Sequence, residues 1–443
     1  MAKVKEINIA LLGCGKLGQG LFRLWKDKRG KIKEQTGINL NIKYILVKHI
    51  NYNRDSSIPK DILTDNINTI LKDPAIQIVI DAMGGIEPTY GIIKQFLNRG
   101  CHVVSANRAL LASKMREVFE LARSKKVHLQ FDAALGGGIP VVRMLKRDLI
   151  GSRILGMWGI ASGNANYILT EMHRSKKSLK EVVKSPNLQH LAESHITVDY
   201  EGSDSAQKLA LLAAMAFGVE VNYLQVHAEG ISDLKQIDIH FAEELGYQIK
   251  LLTILKDRDN GLELRVHPTL VPINHPLNSV QYDYNAVYIQ TDIIGEFMLY
   301  GKGAGVYPAA NMIIRDLVEV ATSIKTSSQY MYEFPLWNDK PVLPMEKIYS
   351  GYYLRFICLD IPGVMGKIAT ELGEHNINIE SAHASRRNQK KGRETAYVHI
   401  IVESACERNI FTAVTKIKNL KVITGDTKVF RILRKVSNVK STI

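Results

Sequence analysis

One stretch near the start of the chain restricts its fold more than any other: Ile9-Ala10-Leu11-Leu12-Gly13-Cys14-Gly15-Lys16-Leu17-Gly18-Gln19-Gly20. An apolar run of strand character enters G-x-G-x-x-G and leaves as an amphipathic stretch, Leu21-Phe22-Arg23-Leu24-Trp25. A dinucleotide site needs strand, tight turn and helix in that order. Gly13 makes the turn, Gly15 lets a pyrophosphate approach the backbone, and Gly18 lets the helix pack on the strand. The diphosphate then meets the free N–H groups around Gly15, Lys16 and Leu17 at the positive end of the helix dipole.

The end of the second strand reads the ribose. An NAD-selective site carries an Asp or Glu there to accept from the 2′-OH. Here Asn41-Ile42-Lys43-Tyr44-Ile45-Leu46-Val47 ends in Lys48-His49, with Arg54 soon after. No carboxylate stands at that point, and Lys48 and Arg54 are within reach of a 2′-phosphate. The expected cofactor is NADP, with NAD possible; a solvated basic loop is the plainer alternative.

A chain of 443 residues holds two or three domains, and 46% apolar with 23% charged residues is the composition of an ordinary soluble protein. No apolar run approaches the ~20 residues of a membrane span, and neither a secretory signal nor a transit peptide is evident. Cys14, Cys101, Cys358 and Cys406 are scattered without metal-ligand spacing and read as reduced thiols in the cytoplasm. The net charge of +14 is concentrated toward the C-terminus, notably in Arg386-Arg387-Asn388-Gln389-Lys390-Lys391-Gly392-Arg393. With no interleaved aromatics this is a solvated loop, and no nucleic-acid partner is expected.

The fold class expected is α/β. Residues 1–150 form a Rossmann-type doubly wound parallel sheet. Ile76-Gln77-Ile78-Val79-Ile80-Asp81, Cys101-His102-Val103-Val104 and Val127-His128-Leu129-Gln130-Phe131 are buried strands. Each delivers a Gly-rich or polar loop at its C-terminal end. A helix from about 305–330 is expected to complete this domain. Residues 151–325 read as a middle α+β domain, and 326–350 as a linker marked by Pro335, Pro341 and Pro344. Residues 351–435 follow a β-α-β-β-α-β pattern, that of a ferredoxin-like module.

The sharpest constellation is Glu201-Gly202-Ser203-Asp204-Ser205-Ala206-Gln207-Lys208-Leu209. It opens a helix that Ser203 is placed to cap. Asp204 and Lys208, four apart, share one face. They are either a surface ion pair worth a few tenths of a kcal/mol or a proton-transfer pair for alcohol–carbonyl hydride exchange.

Taken together these motifs resemble the homoserine dehydrogenases, NAD(P)-dependent enzymes that interconvert L-homoserine and L-aspartate 4-semialdehyde. The resemblance includes Met83-Gly84-Gly85, Gly136-Gly137-Gly138-Ile139-Pro140, Asn166-Tyr167-Ile168-Leu169, Glu201-Gly202 with Asp204 and Lys208, and Gly301-Lys302-Gly303-Ala304-Gly305. The tail, with Asp360-Ile361-Pro362-Gly363-Val364-Met365-Gly366, resembles an ACT domain.

The resemblance implies roles. Lys208 matches the family's proton donor and acceptor, Asp204 a residue that helps hold the substrate, and Glu193 the acid that grips the homoserine amino group. Arg108 and Gly305 fall at cofactor-contacting positions. Asp132 takes the place of a family Glu in a monovalent cation site (sodium or potassium) completed by the carbonyls of Leu135, Gly137 and Ile139. In the ACT module Asp360, Gly363, Val364 and Asn378 would face an amino-acid effector, L-threonine by this resemblance. A homodimer or homotetramer is implied. Arg108 stands where the family carries Lys, and the substrate loops around Ser162-Gly163-Asn164-Ala165 and Ala192-Glu193-Ser194-His195 also depart from its pattern. Two other readings stay open: a reductase of a related amino-acid semialdehyde, and a catalytically silent amino-acid sensor.

Overall fold

The computed structural model describes residues 4–185, 201–303, 305–326, 336–387 and 394–434. The N-terminal third alternates strand and helix. Strands β1 (Lys5–Leu12), β2 (Ile38–Leu46), β3 (Leu63–Thr64), β4 (Ile76–Asp81), β5 (His102–Ser105) and β6 (Leu129–Gln130) form a parallel sheet ordered β3-β2-β1-β4-β5-β6. Strand order reverses between β1 and β4, so the C-terminal ends of these two strands open the crevice where such sheets bind ligands.

Both faces of this sheet are covered, which is why its strands are apolar nearly throughout. Ile7, Ile9 and Leu11 point to one side, where the helix Lys16–Thr36 lays down Leu21, Phe22 and Trp25. Ala10 and Leu12 point to the other, against Ile93, Phe96 and Phe119. The helix Val306–Thr326 returns from far along the chain to the first face and packs along Lys16–Thr36, burying Ala310, Ile313, Leu317 and Val320.

A second, mixed sheet of ten strands occupies the rest of the molecule. Its strands are β7 (Ile154–Ile160), β8 (His227–Ala228), β9 (Tyr247–Arg258), β10 (Gly261–Pro272), β11 (Tyr284–Thr291), β12 (Glu296–Lys302), β13 (Tyr349–Leu359), β14 (Ile379–Arg387), β15 (Thr395–Cys406) and β16 (Lys428–Ile432). They run in the order β12-β11-β7-β9-β10-β16-β13-β15-β14, with β8 beside β10. The last four follow the expected ferredoxin-like arrangement, covered by the helices Val364–Glu374 and Glu407–Lys418. The α/β class with a parallel N-terminal sheet and a mixed second sheet is therefore the one observed.

The tail is built into the catalytic sheet. β16 pairs in parallel with β10 at Thr269–Arg431 and Leu270–Ile432. Buried charges reinforce the seam. Arg355 on β13 meets Asp238 of the helix Gln236–Glu244 at 2.6 Å, both out of solvent. Arg431 donates to both oxygens of Glu229, at 2.9 and 2.8 Å, and to Glu407, which also accepts from the Tyr352 hydroxyl. Among the described residues no helix is long and apolar enough to cross a membrane.

Candidate active site

The glycine turn has the form a dinucleotide needs. Gly13 has φ +99°, and a Cβ there would lie 2.7 Å from the Ala82 carbonyl oxygen. On Gly18 it would lie 2.3 Å from the oxygen of Gly13, whereas on Gly15 it would meet nothing within 4 Å. Two glycines are thus demanded by packing and the third faces open space, the side from which a diphosphate comes. Gly15 precedes the helix Lys16–Thr36, which has no side-chain cap and no acid in its first turn, so the amides of Lys16 and Leu17 remain available to an anion. The residues present fit a nicotinamide dinucleotide.

The two cations beyond β2 differ. Lys48 is exposed. Arg54 is anchored in its own loop, donating to the carbonyls of His49, Ile50 and Tyr52 and lying over the Tyr52 ring. It also faces Cys14 in the glycine turn; burial raises that thiol's pKa while Arg54 pulls it down.

At the ends of β4 and β5 a buried carboxylate ties two motifs together. Asp81 accepts from the Ser105 hydroxyl at 2.9 Å and from the Met83 amide at 3.1 Å. Burial pushes its pKa up to about 6, against the pull of those hydrogen bonds and of Asn107. Asn107 caps the helix Arg108–Ser113 and donates to the Gly85 carbonyl at 2.8 Å. Met83-Gly84-Gly85 and Ser105-Ala106-Asn107-Arg108 therefore form one wall. Sequence reading passed over Asp81 as a strand residue; a carboxylate closing an otherwise apolar buried run was the available signal.

The opposite wall is the helix Ser203–Phe217. Ser203 does not cap it: Gly202 precedes the helix at φ +88° with no side-chain cap, and Ser203 is already helical. The left-handed turn at Gly202, packed near the Glu229 carbonyl, brings the chain into the helix instead. One turn in, the Lys208 ammonium lies 2.9 Å from Asp204 and donates to the Ala161 carbonyl at 2.5 Å. The two side chains are 8% and 14% exposed, which excludes a solvated surface pair. Arg108, from the first wall, donates to the other Asp204 oxygen and to the Ala134 carbonyl at 2.6 Å. Asp204 is thus shared by a lysine of its own helix and an arginine of the helix Arg108–Ser113.

The third side is made of glycine loops. The Gly138 amide donates to the Lys302 carbonyl at 3.0 Å. A Cβ on Gly137 (φ +60°) would be 2.3 Å from the Gly303 oxygen, so the two backbones touch. Gly305 (φ +116°) leads into Val306–Thr326.

The cation expectation fares differently. Asp132 accepts the Val142 amide on one oxygen, at 2.7 Å, and is ion-paired through the other to Arg315 of the helix Val306–Thr326. Its own amide donates to Asp316 at 3.2 Å. The Ile139 carbonyl accepts from Val141; Leu135 is buried. With the carboxylate committed to protein donors, this set does not fit an alkali cation. The reason is a partner 183 positions away, invisible to local reading. The signal available was Asp316, which falls on its helix's apolar stripe four residues from Met312 and Val320.

Glu193 lies outside the described residues, as do residues 388–393 of the basic stretch 386–393. In the tail, Gly363 (φ +84°) opens the helix Val364–Glu374, with Val364 buried. The Asp360 amide donates to the Glu394 carbonyl, and Asn378, exposed before β14, accepts the Glu403 amide. That helix, about 16 Å long, separates Gly363 from Asn378, so one copy does not bring them together.

Comparisons with known proteins agree with this geometry. Family models match for "Homoserine dehydrogenase, NAD binding domain" over residues 13–132, "Homoserine dehydrogenase" over 140–318 and "ACT domain" over 352–422. The chain is 35% identical to the homoserine dehydrogenase of Synechocystis over 85% of this chain and 88% of that one. It is 32% identical to that of Bacillus subtilis over 97% and 99%. The crystal structure of a homoserine dehydrogenase from Thiobacillus denitrificans superposes with a TM-score of 0.89 at 34% identity, covering 97% of this chain and 98% of that one.

Proposed function

The chain belongs to the homoserine dehydrogenase family, oxidoreductases acting on a CH–OH group, and we propose which of its residues carry the interconversion of L-homoserine and L-aspartate 4-semialdehyde. A nicotinamide dinucleotide held at the glycine turn would supply the hydride acceptor for the hydroxyl-bearing carbon in oxidation, and the hydride donor in reduction. In oxidation Lys208, as the neutral amine, takes the hydroxyl proton and becomes the ammonium; in reduction the ammonium form gives that proton to the carbonyl oxygen. The Ala161 carbonyl and Asp204 aim its Nζ, and Arg108 fixes Asp204 from across the cleft. Arg108 is always protonated and takes no part in proton transfer. Glu193 is assigned to the substrate amino group on resemblance alone.

NADP is the preferred dinucleotide in this reading, supported by Lys48 and Arg54 and by the lack of a carboxylate directly after β2. The four free cysteines support a reducing compartment, the cytoplasm. L-Threonine is the proposed effector, held between two copies of the tail by Asp360, Gly363 and Val364 of one and Asn378 of the other. A homodimer or homotetramer follows, and light scattering of the purified protein checks it.

The buried Lys208–Asp204–Arg108 cluster at the crevice carries the proposal. Its test is nicotinamide reduction by the purified protein with L-homoserine, run with NADP and NAD in parallel and against a panel of other hydroxy amino acids. Absence of homoserine turnover with either cofactor rejects it.

A further inference from the structure

Two carboxylates are buried next to one another at the end of β6. Asp132 is 1% and Asp316 0% exposed, and the Asp132 amide donates to Asp316. Such a pair needs a compensating charge nearby. It has one: Nη2 of Arg315 contacts a carboxylate oxygen of each. Among the described residues the Nε and Nη1 atoms of the same guanidinium are buried without an acceptor, so these carboxylates are the anchor that holds it.

We propose that Arg315 is the built-in cation of the loop from Asp132 to Pro140, and that this protein needs no alkali cation there. A metal ion on Asp132 would have to displace the guanidinium or stand against a like charge in a poorly screened site.

The fixed charge matters because of what the loop holds. Asp132 opens the short helix Asp132–Gly136, and two residues later the Ala134 carbonyl receives Arg108, which in turn holds Asp204. Arg315 is therefore a positioning residue, acting through the backbone at Ala134. A guanidinium carried on a helix is part of the fold, whereas a bound ion depends on its concentration.

The test replaces the salt. Melting temperature and homoserine-dependent turnover of the intact protein are measured in sodium, potassium or tetramethylammonium chloride at equal ionic strength. For the wild type, both readouts are expected to be the same in all three. Arg315→Ala should melt several degrees lower in tetramethylammonium, with sodium or potassium restoring part of the loss, and Arg315→Lys should retain most of the wild-type kcat/KM. A wild type whose melting temperature or turnover falls when alkali ions are withdrawn overturns the proposal, and so does Arg315→Ala matching the wild type in every salt. The wild-type comparison decides even if Arg315→Ala does not fold. The proposal rests on the proposed reaction only through turnover: a protein inactive in every salt refutes that reaction, while the melting series still judges Arg315.

Discussion

Lys208 and Arg108, one hundred positions apart and from opposite walls of the cleft, close on the two oxygens of a single carboxylate, Asp204. The arrangement links the wall that carries Asn107 and Arg108 to the helix that carries Lys208, the proposed proton-transfer group. A change in the angle between the two sheets would have to pull on this contact, so the geometry of Lys208 is set jointly by both halves of the molecule.

Removing the Lys208 amine should abolish most turnover and leave the cofactor site intact. Lys208→Ala is expected to lose about 10²–10⁴ in kcat while NADPH titration, followed by nicotinamide fluorescence, gives an unchanged affinity. Near-normal kcat in this variant rules Lys208 out as the proton-transfer group.

Arg108→Met keeps bulk and removes the tie to Asp204. Since small misplacements of a reacting group cost on the order of 10² in rate, kcat should fall by about that much while the melting temperature changes little. Arg108→Lys restores a charge without the forked geometry, so partial recovery is expected. A drop confined to KM would instead make Arg108 a simple binding residue.

Asp81 gives a stability signature in acid. Its pKa, near 3.8 in the unfolded chain, stands at about 6 in the folded one, so between those values the native state holds a proton that the unfolded state has released. Stability from this group therefore declines as pH rises through that window and stays at the lower level above it. Asp81→Asn removes the ionisation, flattens that slope, and at pH 7 should be more stable than the wild type by on the order of 2–3 kcal/mol at most. Urea denaturation at pH 4, 5, 6 and 7 measures it; an unchanged slope contradicts the assignment.

The seam with the tail should be intolerant of half a charge pair. Arg431→Met leaves Glu407, 5% exposed, buried without its guanidinium, a loss of about 3–5 kcal/mol. Denaturant titration followed by the tail's tyrosines reads it directly. Replacement of both partners, Arg431→Met with Glu407→Gln, should recover much of the loss.

For regulation, Gly363→Asp would set a carboxylate against that of the effector. Basal turnover should be preserved and inhibition by L-threonine lost. The wild-type effect is expected to be about 5–150-fold in affinity, the usual range of coupling between sites. No response of the wild type to millimolar threonine, in activity or melting, makes the module structural.

What the sequence disclosed and what it hid divide along contact distance. The close approach of Gly18 to Gly13 was legible because it falls within one strand–turn–helix unit, whereas the Ala82 carbonyl that crowds Gly13 comes from just beyond β4. The Asp204–Lys208 pair was legible as a spacing, but its burial was not. Whether the pair was solvated depended on Ala161, Arg108 and Ala134, supplied by three other segments. Asp132 was a ligand by family resemblance, while Arg315, which takes its charge, arrives from a helix 183 residues on. The cap at Ser203 failed for a smaller reason: the chain enters the helix through a left-handed Gly202 and Ser203 is already helical.

The pairing of β16 with β10 makes the tail something other than a detachable cap. A shortened chain ending before β13 would unpair β10 at Thr269 and Leu270, within a strand eleven of whose twelve residues are buried. That strand would then offer open amides and carbonyls to any other copy it met. Shortened forms would aggregate unless polar or proline substitutions recoloured the exposed edge. Evolution, like an engineer, could remove the tail only by redesigning the sheet it leaves behind.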